Sequence, residues 1–258
     1  MILIKKYCTI IFLMDKNLFE NHLKQEHKTT YLSEYLEEFV YGGIDGIITT
    51  FAVVSGFSGA NATESGLNLS LMTVLLFGLA NLIADGAAMG LGNFLSIRSS
   101  QKLYQNNYDK ELIETKKNTE FEIKETEYLF EKQGFTPKDS QLLTKIISKN
   151  TDYWVRFMVQ YECELEDSRN ENPLYNGLAT FLSFVFFGFI PLIPYFFMSS
   201  IQETFVIASL FTCFALTLLG ILRAVITKEK MLVSILETIL IGGTAACLAY
   251  FVGHLFKG

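Results

Sequence analysis

Apolar residues along the chain fall into five runs, 39–60, 69–97, 178–198, 205–227 and 232–256, each able to cross a hydrocarbon layer that needs about 20 residues. Gly and Pro inside the runs do not disqualify them, because neighbouring membrane helices re-satisfy the backbone. Residues 98–173 break the pattern and carry most of the charge. There Thr136, Pro137 and Asp139 form a helix start after Gly134, with Thr as N-cap, Pro at the first position and an acid closing the box. The pattern predicts that span two continues into this insert, followed by helices over 121–132, 137–149 and 152–167, the last carrying Trp154, Phe157, Met158 and Tyr161. The chain reads as an all-α membrane protein of five transmembrane helices: an N-terminal segment 1–38, spans one and two in 39–97, a helical insert 98–173, and spans three to five in 174–258.

Lys and Arg in short loops orient such a protein. The connections 61–68 and 199–204 contain neither, whereas Arg223, Lys228 and Lys230 join spans four and five, and Arg98 and Lys102 open the insert. The N-terminus and the insert are therefore expected in the cytoplasm. Asn61-Ala62-Thr63 matches a glycosylation acceptor but lies too close to the bilayer to be read as one. Residues 1–13 are apolar with two Lys and have no small-residue cleavage site after them, which suggests a start at Met14 or a short interfacial anchor rather than a signal peptide.

Inside span two, Asn81, Asp85, Met89 and Asn93 recur every fourth residue, a polar stripe that cannot face lipid. An ionised Asp at a membrane helix centre costs roughly 2.5 to 3.5 kcal/mol, so Asp85, and Asp45 in span one, imply a task that needs a negative charge. Small residues flank both acids: Gly42, Gly43 and Gly46 in span one, and Gly78, Gly86 and Gly90 among others in span two. In the insert, Glu111 with Glu114, Glu122 with Glu125, and Met158 with Glu162 stand three or four residues apart on common helix faces. A divalent cation removes the like-charge penalty, and the thioether favours a transition metal over calcium or magnesium. The competing account is a solvated acidic face beside Lys110, Lys116, Lys117 and Lys124.

Composition agrees with the membrane class, since 50% of the 258 residues are hydrophobic and 23 are Phe. Cys8, Cys163, Cys213 and Cys247 form no CxxC pair, and His22, His27 and His254 no metal-ligand spacing, so disulfides and thiolate sites are not expected. There is no Walker motif or glycine-rich phosphate loop, and no HExxH, so neither an ATPase nor a hydrolase is expected. Arg223 and Glu237 are placed to pair across spans four and five, in a structural role.

Four ordered segments carry a specific resemblance: Gly43-Ile44-Asp45-Gly46, then Ser58-Gly59-Ala60-Asn61-Ala62, Met89-Gly90-Leu91-Gly92-Asn93-Phe94-Leu95, and Pro191-Leu192-Ile193-Pro194-Tyr195. On these the chain, from Glu34 onward, resembles the vacuolar iron transporter family, which includes the Ca2+-cross-complementer and nodulin-like iron and manganese transporters. The resemblance implies a homodimer in membrane lipid, a cytoplasmic metal-binding insert, and export of Fe2+ from the cytoplasm in exchange for protons, with Mn2+ or Zn2+ as further ions and no nucleotide or nucleic acid. It makes Asp45 and Met89 translocation-path residues, Glu111, Glu114, Glu122, Glu125, Glu162 and Met158 the insert's ligands, and Glu34 and Glu38 acids at the cytoplasmic mouth. The sequence departs where plant members carry a path Glu: Asn81 stands there, with Asp85 four residues on. Val159 replaces a second insert methionine. The membrane expected is a bacterial inner membrane, with a vacuolar membrane as the alternative. The competing function is a membrane-anchored metal sensor or buffer that transports nothing.

Overall fold

The computed structural model describes residues 19, 35–60, 70–198 and 200–255. Among them the long elements are helices: α1 (Leu36–Ala60), α2 (Leu71–Lys117), α3 (Thr119–Lys132), α4 (Pro137–Ile147), α5 (Thr151–Tyr161), α6 (Pro173–Phe189), α7 (Ile201–Thr227) and α8 (Met231–Leu255). Five of them, α1, α2, α6 with the 3-10 turn that follows it, α7 and α8, are long and apolar enough to cross a membrane. The glycosylation motif at Asn61, the N-terminal apolar segment and Glu34 lie outside the described residues.

The chain divides into two compact units, residues 1–82 with 183–258, and residues 83–182. In the first, α8 packs on α1 and α7, and α1 packs on α7 and on the 3-10 turn Ile190–Phe196. Its core is Ile47, Ala215, Leu216 and Leu219, closed by Ile44, Phe187 and Ile239. Apolar burial drives little helix association in lipid, so close backbone approach does the work. A Cβ on Gly46 would run into the Phe184 carbonyl, and one on Gly253 into the Gly56 carbonyl. Arg223 pairs with Glu237 at 3.0 Å and with Glu229 at 3.2 Å, which ties the α7–α8 hairpin together as the sequence suggested.

The second unit is built around α2. At 47 residues this helix is about 70 Å long, more than twice a hydrocarbon layer, so its C-terminal part projects beyond the apolar run that ends at Ile97. Helix α3 folds back beside that projection, α5 packs on it through Tyr104, Val155 and Val159, and α4 packs on α3 and α5. One core joins Leu129, Phe130, Trp154, Phe157 and Met158, and another joins Tyr104, Val155 and Val159. The cap at Thr136 forms as expected, with the Asp139 amide donating to its hydroxyl at 3.3 Å.

Several boundaries differ from the sequence reading. Helix α5 stops at Tyr161 and not at 167, because Glu164 takes the left-handed conformation (φ 53°) that ends a helix without any Gly or Pro to announce it. Helix α4 stops at Ile147, and a 3-10 turn occupies Ser168–Asn170. Span three begins at Pro173, where the Asn172 side chain accepts from the Leu174 amide at 3.2 Å. It ends as a 3-10 turn because Pro191 and Pro194 lack the amide donors an α-helix uses.

The crossing of α1 with the segment at Phe184 is expected to tolerate no side chain. Gly46→Val should lower stability by about 1–3 kcal/mol, the usual cost of overpacking. Gly243→Ala, where nothing lies within 4 Å of the added carbon, should be neutral or slightly stabilising. Thermal unfolding in detergent followed by circular dichroism separates the two.

Candidate metal centre

Three helices of the second unit bring the insert's acids together. Helices α2 and α3 are joined through the single residue Asn118, so the pair folds back as a hairpin with Glu111 and Glu114 facing Glu122 and Glu125. Helix α5 returns alongside and delivers Glu162 just past its last turn. Glu111, Glu114 and Glu122 form one group, and Glu122, Glu125 and Glu162 another, with the ligand oxygens of each group within 4.8 Å of one another. Glu122 belongs to both. All five glutamates singled out in the sequence thus converge, although their pairs lie as far apart as residues 111 and 162.

Their environment is the decisive part. Glu111 is fully buried and Glu122 is 2% exposed, while Glu114 and Glu125 are partly buried and Glu162 is open to solvent. Both carboxylate oxygens of Glu111 and Oε2 of Glu122 are buried without a hydrogen-bond partner. Native proteins rarely leave such groups unsatisfied, because an unpaired buried charge is costly. Burial, followed by the charges of Glu162 and Glu114, pushes the Glu111 carboxyl up to about 7. Burial, followed by Glu111 and Glu125, does the same to Glu122. Glu162 is raised as well, through burial and then Glu125. Among the described residues Lys110 is the cation acting on Glu111, and it reaches Glu114 at 3.8 Å on an exposed edge, where an ion pair is worth little. The solvated-face account therefore fails for Glu111 and Glu122.

Met158 is fully buried, and its sulfur accepts a hydrogen bond from Thr126 Oγ1 at 3.2 Å. The same hydroxyl accepts from Trp154 Nε1 at 2.8 Å and lies 2.7 Å from the Glu122 carbonyl. This network clamps α5 to α3 one residue from Glu125. Sequence reading passed over Thr126, whose signal is its position four residues after Glu122. It also passed over Cys163: the thiol lies close enough to Glu111 and Glu162 for their charges to add to the burial that raises its pKa. Only adjacency to Glu162 pointed there. Val159 belongs to the Tyr104 core and offers no ligand. Below the acids, Gln101 donates to the carbonyls of Ser168 and Glu171 at 3.0 and 2.9 Å, and Arg169 stacks over Tyr104 at 4.8 Å, so the returning chain is pinned to α2.

A family model described as "VIT family" matches residues 36–254, almost the whole described chain. The chain belongs to the VIT family. Members are transporters and not enzymes. The chain is 30% identical over 233 residues to a "Vacuolar iron transporter" of Centaurea cyanus, covering 90% of this chain and 92% of the relative. It is 30% identical over 244 residues to "Vacuolar iron transporter 1" of Arabidopsis thaliana, covering 93% and 94%. A "Vacuolar iron transporter" of Toxoplasma gondii is 31% identical over 242 residues, covering 90% and 78%. All three names refer to the vacuole, so the bacterial inner membrane expected from the sequence gains no support from them.

The intramembrane residues of this VIT protein lie on α1 and α2. Asp45 is half-buried, with its carbonyl accepting from Thr49 Oγ1 at 2.8 Å, and Glu38 is buried near the start of the same helix. Asn81, Asp85, Met89 and Asn93 are all half-buried on the continuous α2, as a stripe shielded from full exposure requires. Asn93 donates to Thr180 Oγ1 at 2.9 Å.

Trp154 is the chain's only tryptophan, so its emission reports unfolding of the insert alone. A carboxyl raised to about 7 in the fold, against 4.5 in the open chain, binds more protons when folded. That stabilising contribution is complete below about pH 4.5 and is lost as pH rises through about 7. The metal-free insert should accordingly unfold at higher temperature at pH 5 than at pH 8. At pH 8, Glu111→Gln should raise the metal-free midpoint and weaken divalent-metal binding by roughly tenfold or more, since ligand charge sets affinity in oxygen-rich sites. Tryptophan-monitored melts and metal titrations check both directions.

Proposed function

We propose that this protein moves a divalent metal ion, Fe2+ foremost, out of the cytoplasm across a vacuole-type membrane in exchange for protons. The observation that carries the reading is the convergence of five glutamates, two of them buried with unpartnered oxygens, on the insert of a five-span VIT protein. The names of the relatives supply the ion. The Lys and Arg bias of the loops supports the side, since Arg98, Lys102, Arg223, Lys228 and Lys230 favour a cytoplasmic insert.

In this mechanism Glu111, Glu114, Glu122, Glu125, Glu162 and Met158 collect the ion. It then passes to Asp45, Asp85 and Met89, with Asn81 in the place of a family acid, in the membrane part of a homodimer. Carboxylate oxygens with a thioether suit Fe2+, and they accept Mn2+ and Zn2+ as well. Protons and metal compete for the same oxygens, because a carboxyl must be ionised to coordinate. Groups poised near pH 7 switch between the two within a modest pH gradient, so an acidic far side draws metal across without a nucleotide.

The second reading, a membrane-anchored sensor or buffer, draws on the fact that the acid cluster is complete within the insert and needs nothing from the spans. Flux separates the two. Proteoliposomes holding the purified protein should show Fe2+ movement that depends on the pH gradient and is reduced at least tenfold by Asp45→Ala. Glu111→Gln should lower flux mainly at low metal concentration. Metal binding with no flux under either gradient direction would move the sensor reading ahead.

A further inference from the structure

The basic face of α4 has no role in the metal cluster. Its inward side, with Leu143 and Ile147, packs on the Leu129–Trp154–Met158 core, and Ser140 and Thr144 are buried with it. Its outward side is wholly exposed and carries Lys138, Lys145 and Lys149 around Leu142 and Ile146, which are 58% and 54% exposed. On a helical wheel at about 100° per residue the four of these within α4, Lys138, Leu142, Lys145 and Ile146, fall within roughly one third of a turn, and Lys149 follows two residues past its end. Phe135, 46% exposed, extends the apolar part just before the helix. The acid on α4, Asp139, is engaged by the Thr136 hydroxyl at 2.6 Å, and Asp152 near its far end is held by Arg156 at 2.8 Å.

The level of this face relative to the bilayer follows from α2, which runs through both. The α3 end of the α3–α4 connection sits at Tyr104, since Tyr104, Phe130, Gln133 and Phe135 line one cavity of about 420 Å³. The start of α5 sits at Tyr108, whose hydroxyl donates to Asp152 at 2.7 Å. At 1.5 Å per residue those levels are about 10 and 16 Å beyond Ile97, where the apolar run ends. The polar headgroup layer occupies roughly the first 5 to 8 Å of that distance. Helix α4 connects the two levels with both ends on the bilayer side of the insert, and the acid cluster lies farther out, about 21 Å beyond Ile97 at Glu111. Both ends of α4 thus lie nearer the bilayer than the acid cluster, and its exposed face belongs to the bilayer-proximal part of the insert.

We infer that α4 docks on the headgroups of an anionic phospholipid bilayer, its three lysines meeting the lipid charge and Leu142, Ile146 and Phe135 entering the interface. Exposed apolar residues among lysines are what an interfacial helix presents, and each lysine held at an anionic surface strengthens partition roughly fivefold. Docking would hold the insert at a fixed angle to the spans. The inference rests on the insert facing the cytoplasm, the side on which membranes carry anionic lipid.

The test uses the full chain in nanodiscs of phosphatidylcholine alone or with added phosphatidylserine. Acetylation of Lys138, Lys145 and Lys149 is followed by mass spectrometry, with Lys116 and Lys117 at the far end of α2 as internal reference. The expected result is labelling several-fold slower at the α4 lysines in the anionic discs, restored by high salt, with the reference unchanged. Hydrogen exchange of α4 should slow in the same discs and lose that response in the combined K138Q/K145Q/K149Q variant, with the Trp154 emission maximum confirming that the insert is folded. Equal labelling in both lipids overturns the inference. So does protection that follows protein density and not lipid charge, which would make the face a contact between copies. The Asp45→Ala protein should keep the lipid response, so that loss of transport and loss of docking are read separately.

Discussion

Two carboxylates removed from water, with no hydrogen bond to receive them, impose the condition that the insert is built to meet. Glu111 and Glu122 cannot stay charged alone in that position, so they hold either protons or a cation. The scaffold makes the condition unavoidable. Helix α2 keeps its helical form some twenty residues past the bilayer to carry Glu111, α3 folds back through one residue to oppose it, and the Trp154–Thr126–Met158 contacts fix α5 so that Glu162 closes the group. A looser insert would let the acids separate and hydrate, their carboxyl groups would return toward ordinary values, and the proposed competition between proton and metal near neutral pH would have no basis.

The membrane part obeys different physics. With lipid as apolar as leucine, shape and backbone proximity decide which helices meet, and Gly46 and Gly253 bring backbones closer than any Cβ allows. Intramembrane carboxylates are tolerated there only among close-packed, partly shielded helices. The half-burial of Asp45 and Asp85 fits that rule, as does the absence of full exposure anywhere along the Asn81–Asn93 stripe.

What the sequence could convey followed the range of each signal. Spans one, two, four and five were legible because hydrophobic length is a property of one segment, and the Thr136–Pro137 start because a cap is local. The five glutamates were legible as pairs, since spacing of three or four fixes a common helix face. That the pairs meet each other, that Glu122 serves two groups, and that Glu111 is sealed from water depend on the α2–α3–α5 fold, which no local pattern records. The end of α5 was missed for a related reason: Glu164 adopts a conformation that glycine usually marks, and the packing around Val159 and Leu165 imposes it instead.

Continuity of α2 relates the two sets of acids in one further way. Taking about 100° per residue from Asp85, Met89 and Asn93 fall near 40° and 80°, and Glu114 and Glu111 return to about 20° and 80°. Arg98 and Lys102, at about 220° and 260°, point the other way. These two cations thus stand behind the helix, and the electronegative groups share its front over some 40 Å. Asn107, Ser100 and Ser96 lie at similar angles between the two sets, and Lys110, at about 340°, stands at the edge of the same front beside Glu114. In the mechanism proposed above the same helix meets two demands that conflict in a shorter one: basic residues at the membrane boundary to set topology, and a largely polar face for a cation to follow.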